Sequence, residues 1–353
     1  METKRPRLGA AQRPTMKDVA HEAGVGLKTV SRVVNGESGV SEATVDRVRE
    51  VIARLGYRRD DAARGLRNGH VASIGLILED TTDPFYAQLV GAVQTVAQEH
   101  GMLALTGASD EDPDYERDLG LALCARRVQG LVIVPAPGSR HDYLEPELAA
   151  GMAVVFVDRP PIGLAADTVL ADSRGGARGA VGHLVERGHR RIGFLGDSPG
   201  IYTAGERLLG YREALAAAGL PRDDALVAMG PPSPDALGAA LAALMALPDP
   251  PTALFTGNNR TTVETLRILA RREERPALVG FDDFELADLM TPPVTVVAQD
   301  PVGMGRAAAR LLFQRLAGDR SPARRLELAT RLIARGSGER RPAGLPGEPR
   351  DRA

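Results

Sequence analysis

The sequence predicts an all-α helix-turn-helix head joined to an α/β body of two doubly wound parallel-sheet lobes. Three observations carry this. Residues 15–59 hold three short amphipathic segments separated by glycine-bearing turns. From Ala72 onward, short continuous apolar runs alternate with helical stretches, the pattern of buried parallel strands and crossover helices. Charge divides at the same place: residues 1–70 hold 14 Lys and Arg against 9 Asp and Glu, and the remainder holds 30 against 37. A basic head on an acidic body implies an anionic partner for the head alone.

Composition narrows the class. Of 353 residues, 43% are hydrophobic and 25% charged, which excludes a wholly disordered chain, a fibre and a disulfide scaffold. The single cysteine, Cys124, excludes an internal disulfide and a cysteine-clustered zinc site. No apolar run reaches 18 residues and the N-terminus lacks the apolar stretch of a signal peptide, so a cytoplasmic protein with no membrane partner is expected.

In the head, Thr15 is a good N-cap with Asp18 three residues on, a near capping box. The first helix, Met16 to Ala23, aligns Met16, Val19, Ala20 and Ala23, and Gly24 stops it. A second helix starts at about Leu27 with Val30, Val33 and Val34 as its apolar stripe, and Asn35-Gly36 ends it. Ser41 caps a third, Glu42 to Leu55, with Val45, Val48, Ile52 and Leu55 at helical spacing. The outward positions of the second helix are Leu27, Lys28, Thr29, Ser31 and Arg32, with no acid among them. Hydroxyl, cationic and small apolar groups of this kind read base edges in a major groove.

The run Thr15-Met16-Lys17-Asp18-Val19-Ala20, Ala23-Gly24-Val25 and Thr29 through Gly36 resembles the DNA-binding head of the LacI family, and the match continues through Val40-Ser41, Thr44, Arg47-Val48 and Leu55-Gly56-Tyr57. The resemblance implies that Leu27 and Lys28 read bases and that Arg32 touches base or phosphate. It gives Thr15, Thr29, Ser31 and Asn35 backbone-positioning roles and includes Tyr57 in the DNA-binding set. Gly26 departs from the family's usual Ser and removes a side-chain cap. Residues 60–71 then correspond to the family's hinge helix and linker. There Leu66 would wedge into the central minor-groove step and Ala63 would meet its twin across the dimer axis. Arg59-Asp60 stands where the family commonly has Pro-Asn, and Asp60 can cap the hinge.

In the body, strands are expected at Ile74–Leu78, Leu103–Thr106, Leu131–Val134, Val154–Val157, Ile192–Leu195, Ala253–Thr256, Ala277–Phe281 and Thr295–Ala298. Helices are expected at Ala87–His100, Arg174–Arg187, Glu206–Ala218 and Thr261–Arg272. Ligands of such sheets bind at the carboxyl ends of strands. Those ends carry Asp80, Asp83, Asp158-Arg159, Asp197, Asn258-Asn259 and Asp282-Asp283, acids and amides suited to a hydroxyl-rich ligand.

The body is similar to the LacI-family regulatory core, itself of periplasmic-binding-protein type. The landmarks are Asp83-Pro84-Phe85-Tyr86, Arg127 to Leu131, Val157-Asp158-Arg159, His183-Leu184, Arg207, Gly210-Tyr211, Asn258 and Val279 to Asp283. The resemblance places Phe85 and Tyr86 against a small-molecule effector, a sugar or sugar derivative. It has Thr203, Arg207, Asn258 and Asp282 hydrogen-bond that effector, and it stacks Phe255 on it. Asn259-Arg260 departs from the family's usual Asn-Asp.

Other signals fail. There is no G-x-G-x-x-G, Walker or G-x-S-x-G motif and no nucleophile–base pair, so no enzyme activity, cofactor or metal is expected. Arg174-Gly175-Gly176 is read as a lobe-connecting turn, His183 as packed and His189 as exposed. Segments 1–14 and 337–353 are read as disordered, leaving 15–59 as head, 60–71 as hinge and 72–336 as effector-binding and dimerisation body. The expectation is a homodimeric regulator, a repressor, bound to palindromic double-stranded operator DNA under effector control. The alternative is a solute-binding α/β protein with no DNA role.

Overall fold

The computed structural model describes residues 16–35, 38–55, 72–272 and 275–342. Two compact units divide between Val71 and Ala72. The first holds α1 (Met16–Ala23), α2 (Leu27–Asn35) and α3 (Glu42–Leu55). Gly24 has φ of 64°, and the Val25 N–H donates to the Ala20 carbonyl, a glycine-ended helix stop. Val19, Ala20, Ala23, Val30, Val48 and Val51 form the buried core. Val51 takes a central place that the predicted stripe gave to Val45, which is half-buried.

The second unit begins with β1 (Ser73–Leu78), α4 (Pro84–Glu99), β2 (Leu103–Ala108), α5 (Pro113–Ala125), β3 (Gly130–Ile133), α6 (Glu145–Ala149), β4 (Ala153–Val157) and β5 (Asp167–Ala171). It continues through α7 (Ser173–Glu186), β6 (Ile192–Gly196), α8 (Tyr202–Ala217), β7 (Val227–Met229), α9 (Pro234–Met245), β8 (Ala253–Thr256), α10 (Asn259–Leu269) and β9 (Ala277–Phe281). β10 (Thr295–Ala298), α11 (Pro301–Leu316), β11 (Arg325–Leu328) and β12 (Arg331–Ile333) complete it. One sheet has the order β11-β5-β4-β3-β1-β2, all parallel, and the other β12-β10-β9-β8-β6-β7, with only β12 antiparallel. The chain crosses between the lobes after β5, after β10 and after β11.

All eight predicted strands are present. β5, β7, β11 and β12 escaped prediction: β7 and β12 have three residues each, β11 (Arg325–Leu328) is largely exposed and charged, and β5, though buried, opens on the polar pair Asp167-Thr168. The four expected helices start earlier than predicted: α4 at the Asp83-Pro84 cap, α7 and α10 after the Asp172 and Asn258 caps, and α8 at Tyr202. A cap followed by proline also opens α5, α9 and α11, at Asp112-Pro113, Ser233-Pro234 and Asp300-Pro301. Each cap side chain accepts a backbone N–H of the first turn.

Three expectations are corrected. Arg174-Gly175-Gly176 is not a connecting turn but the first turn of α7, capped by Asp172, whose carboxylate accepts the Gly175 N–H at 2.7 Å. His189 is buried, not exposed; its ring nitrogens meet Thr252 Oγ1 and the Arg340 carbonyl, each at 2.8 Å. The body does not end at residue 336. Ser337 is buried, donating to the Leu278 carbonyl at 2.6 Å and accepting the Thr295 N–H at 2.9 Å, and Glu339 accepts from Thr295 Oγ1 and bonds His183. These bonds satisfy backbone groups beside β9 and β10, so residues through 342 belong to the body. Segments 1–14 and 343–353 lie outside the described residues.

Each lobe depends on one close helix crossing. On α8, a Cβ at Gly210 would strike the Arg174 carbonyl of α7; on α11, one at Gly305 would strike the Leu89 carbonyl of α4. Gly305→Ala is expected to cost about 1–3 kcal/mol through overpacking. Gly91→Ala on α4, which opens onto free space, should be neutral or stabilise by about 0.5–1 kcal/mol. Parallel denaturant titrations of the two variants check the contrast.

Candidate functional site

The carboxyl ends of strands from both sheets converge on one cavity. β1 delivers Glu79 and Asp83, and α4 adds Phe85 and Tyr86 from its first turn. β4 delivers Asp158 and Arg159, and the loop after β2 adds Glu111. From the second lobe come Asp197 after β6, Thr203 and Arg207 on α8, Asn258 after β8, Asp282 after β9 and Gln299 after β10.

Arg207 is the best-held group. Its guanidinium donates to the Gly257 carbonyl at 2.5 Å, lies 3.5 Å from Asp282 and stacks 3.9 Å from the centre of the Phe281 ring. Asp282 also accepts from Gln299 Nε2 at 2.5 Å. Asn258 caps α10 through the Thr261 N–H at 2.7 Å and donates to Asp197 at 2.6 Å. In the first lobe, Arg159 bridges Glu79 and Glu111, lies 3.6 Å from Asp158 and donates to the Pro135 carbonyl. Tyr86 donates to Glu79 at 2.9 Å. Buried Arg159 Nε, Arg207 Nε and Gln299 Oε1 have no hydrogen-bond partner, so the cleft offers two unmet donors and one unmet acceptor.

Asp158 and Asp282 both adopt left-handed backbone, at φ of 68° and 67°. Each ends the third strand of its sheet, and each N–H donates to the neighbouring strand, to Val169 and Val297, at 2.9 Å. Strained backbone at matching points of two lobes marks a functional site. Burial raises the Asp282 carboxyl to about 6 against the pull of Arg207 and Gln299, and raises Glu111 to about 7, with Glu79 adding repulsion. Burial likewise raises Asp83, Asp158 and Asp197.

Of the predicted effector residues, Asp83, Phe85, Tyr86, Asp158, Thr203, Arg207, Asn258 and Asp282 line this cavity. Phe255 does not. It is fully buried between Phe194 and Phe281 in the second-lobe core, because β8 alternates and its inward side faces the helices. Sequence reasoning left out Glu79, Glu111 and Gln299; Glu79 and Gln299 are the first residues past β1 and β10, a readable signal.

In the head, Leu27 and Lys28 are exposed at the start of α2, Thr29, Ser31 and Arg32 are half-buried, and the helix carries no acid. Asn35 ends α2. Thr15, Tyr57, Ala63 and Leu66, with the hinge segment, lie outside the described residues. No helix among the described residues is long and apolar enough to cross a membrane.

The raised Asp282 carboxyl has a signed consequence. The folded state binds its proton more tightly than the unfolded state, whose carboxyl titrates near 3.8. The stability it contributes is complete below that value and lost as pH rises through about 6. The effect is on the order of 1–3 kcal/mol. Asp282→Asn should remove this share of the pH slope, as read by thermal midpoints of the wild type and variant across pH 4 to 7.

Comparison with known proteins agrees with this geometry. Residues 15–60 match the family model of bacterial regulatory proteins of the lacI family, and residues 181–338 that of a periplasmic binding protein-like domain. The HTH-type transcriptional regulator CelR of Thermobifida fusca is 36% identical over 340 residues, covering 93% of this chain and 99% of the relative. A solved CelR–cellobiose complex is 35% identical, covers 92% of this chain and 100% of its own, and superimposes with a TM-score of 0.65. A lac repressor dimer bound to operator and the anti-inducer ONPF is 25% identical, covers 93% and 99%, and gives a TM-score of 0.80.

Proposed function

The chain belongs to the LacI family of bacterial regulatory proteins, and on that premise we propose that it is a homodimeric transcriptional repressor. Its hold on a palindromic operator is set by a sugar or sugar derivative in the cleft. The observation that carries this is the joining, in one chain, of an acid-free exposed helix face to a two-lobed cleft of hydroxyl-binding groups. The CelR–cellobiose complex and the operator-bound lac repressor dimer support the two halves.

In this reading, Lys28 and Leu27 face base edges and Arg32 a base or phosphate. The paired carboxylates Asp158 and Asp282, one from each lobe, accept ligand hydroxyls, and Arg207 Nε donates to a ligand oxygen. Binding pulls the lobes into one arrangement and is coupled to the head through the hinge segment at about 1–3 kcal/mol, typical of allosteric linkage. Leu103 on β2 with Tyr115 and Leu121 on α5 are exposed apolar side chains on the first lobe, and support dimerisation there.

Selection from random duplex DNA with the full-length protein should return a palindrome with a fixed centre; recovery of no motif would remove the operator reading. Lys28→Ala should relax preference at one position of each half-site and cost roughly 1–3 kcal/mol. Asp282→Ala should leave operator affinity nearly intact and abolish its release by sugars. A panel of mono- and disaccharides, scored by release of the selected DNA, checks both effects.

A further inference from the structure

The first two residues of α10 reach across the cleft. Arg260 forms an ion pair with Asp80, lies 3.4 Å from Thr82 Oγ1 and brings Nε within 3.6 Å of Asp83. Beside it, Asn259 Nδ2 donates to Asp83 Oδ1 at 3.0 Å. Asp80, Thr82 and Asp83 belong to the turn between β1 and α4 in the first lobe, whereas Asn259 and Arg260 follow β8 in the second. The three chain crossings leave from β5, β10 and β11 at one side of the sheets; β1 and β8 lie toward the other side. The contact therefore fastens the lobes away from the crossings about which they would turn.

From this geometry we propose that Asn259 and Arg260 are a cross-cleft clasp that holds the two lobes closed and must release before a ligand enters or leaves. Both ends are braced. Asp83 caps α4 through the Phe85 N–H at 2.8 Å, and Asp80 is held by the Thr82 N–H at 2.7 Å. Asn259 is buried and accepts the Arg260 N–H at 2.6 Å, which aims the arginine stem. The Arg260 guanidinium is 42% exposed, so water and salt reach the pair and can release it. The clasp lines the same cavity as Asp282, so as a gate for an effector it rests on the proposed function; as a fastening between lobes it does not.

The test reads lobe separation directly. Nitroxide labels on cysteines placed at exposed Glu99 and Asp235, one per lobe, in a full-length Cys124→Ser background, report the distance by electron dipolar spectroscopy. Labelled chain is diluted into unlabelled chain so that one chain is read at a time. Without sugar, the unmodified clasp should give one dominant short distance. Arg260→Gln and Asp80→Asn should each shift population to longer distances, and the exchange Arg260→Asp with Asp80→Arg should shift it back. Molar salt should lengthen the distance in the wild type but not in Arg260→Gln. Superimposable distributions for wild type and Arg260→Gln overturn the clasp, as does a charge exchange that fails to restore the short distance. Failure of the effector reading would appear separately, as no sugar in the panel releasing DNA, with these distances unaffected.

Discussion

The cleft is organised around one buried guanidinium. Arg207 has a side chain only 6% exposed, and a charge so placed is costly unless its protons are met. It is met by the Gly257 carbonyl at the end of β8, by Asp282 at the end of β9 and by the face of Phe281. Three elements separated in sequence, α8, β8 and β9, are thereby tied together at their ligand-facing ends. Asp282 in turn holds Gln299, the residue at which the chain crosses back to the first lobe. A shift of the guanidinium would be felt at the crossing through one ion pair and one hydrogen bond.

The first lobe repeats the device with different residues. Arg159 takes the place of Arg207 as the buried cation, with Glu79, Glu111 and Asp158 about it. Asp158 and Asp282 occupy equivalent strand ends, with matching left-handed backbone and matching bonds to the adjacent strand. Aspartate is among the few non-glycine residues that enter this conformation, and here the sheet bond on one side and the arginine on the other hold it there. The two carboxylates are thus presented to the cleft from matching strand ends, each beside a buried arginine.

Much of this was legible in the sequence. Continuous runs such as Ala253–Thr256 and Ala277–Phe281 have one physical solution, a strand covered on both faces, and the residue after such a strand faces the cleft. The head was legible because its apolar spacing is helical and a glycine follows each apolar stripe in the sequence. Phe255 misled because an aromatic beside a site resembles a stacking platform, while strand alternation sends it into the core. Ser337 and Glu339 misled because a polar Gly-rich tail looks solvated; only the tertiary fold reveals the Thr295 N–H and Leu278 carbonyl that Ser337 meets and the Thr295 hydroxyl that Glu339 meets. Glu111 gave little warning, since it sits in the loop after β2 and loop acids abound on any surface.

The balance of charge in the cavity constrains what can occupy it. Six carboxylates, of Glu79, Asp83, Glu111, Asp158, Asp197 and Asp282, face three arginines, and every one of those arginines is already paired with an acid. An anionic ligand would have to displace such a pair and then meet the remaining carboxylates in a poorly hydrated space, where like charges are expensive. A purely apolar ligand would strand Arg159 Nε, Arg207 Nε and Gln299 Oε1 without partners. A neutral polyhydroxyl molecule avoids both costs. Its hydroxyl protons meet carboxylates, its oxygens meet the arginine, and no charge is added to a site that already carries an excess of one sign.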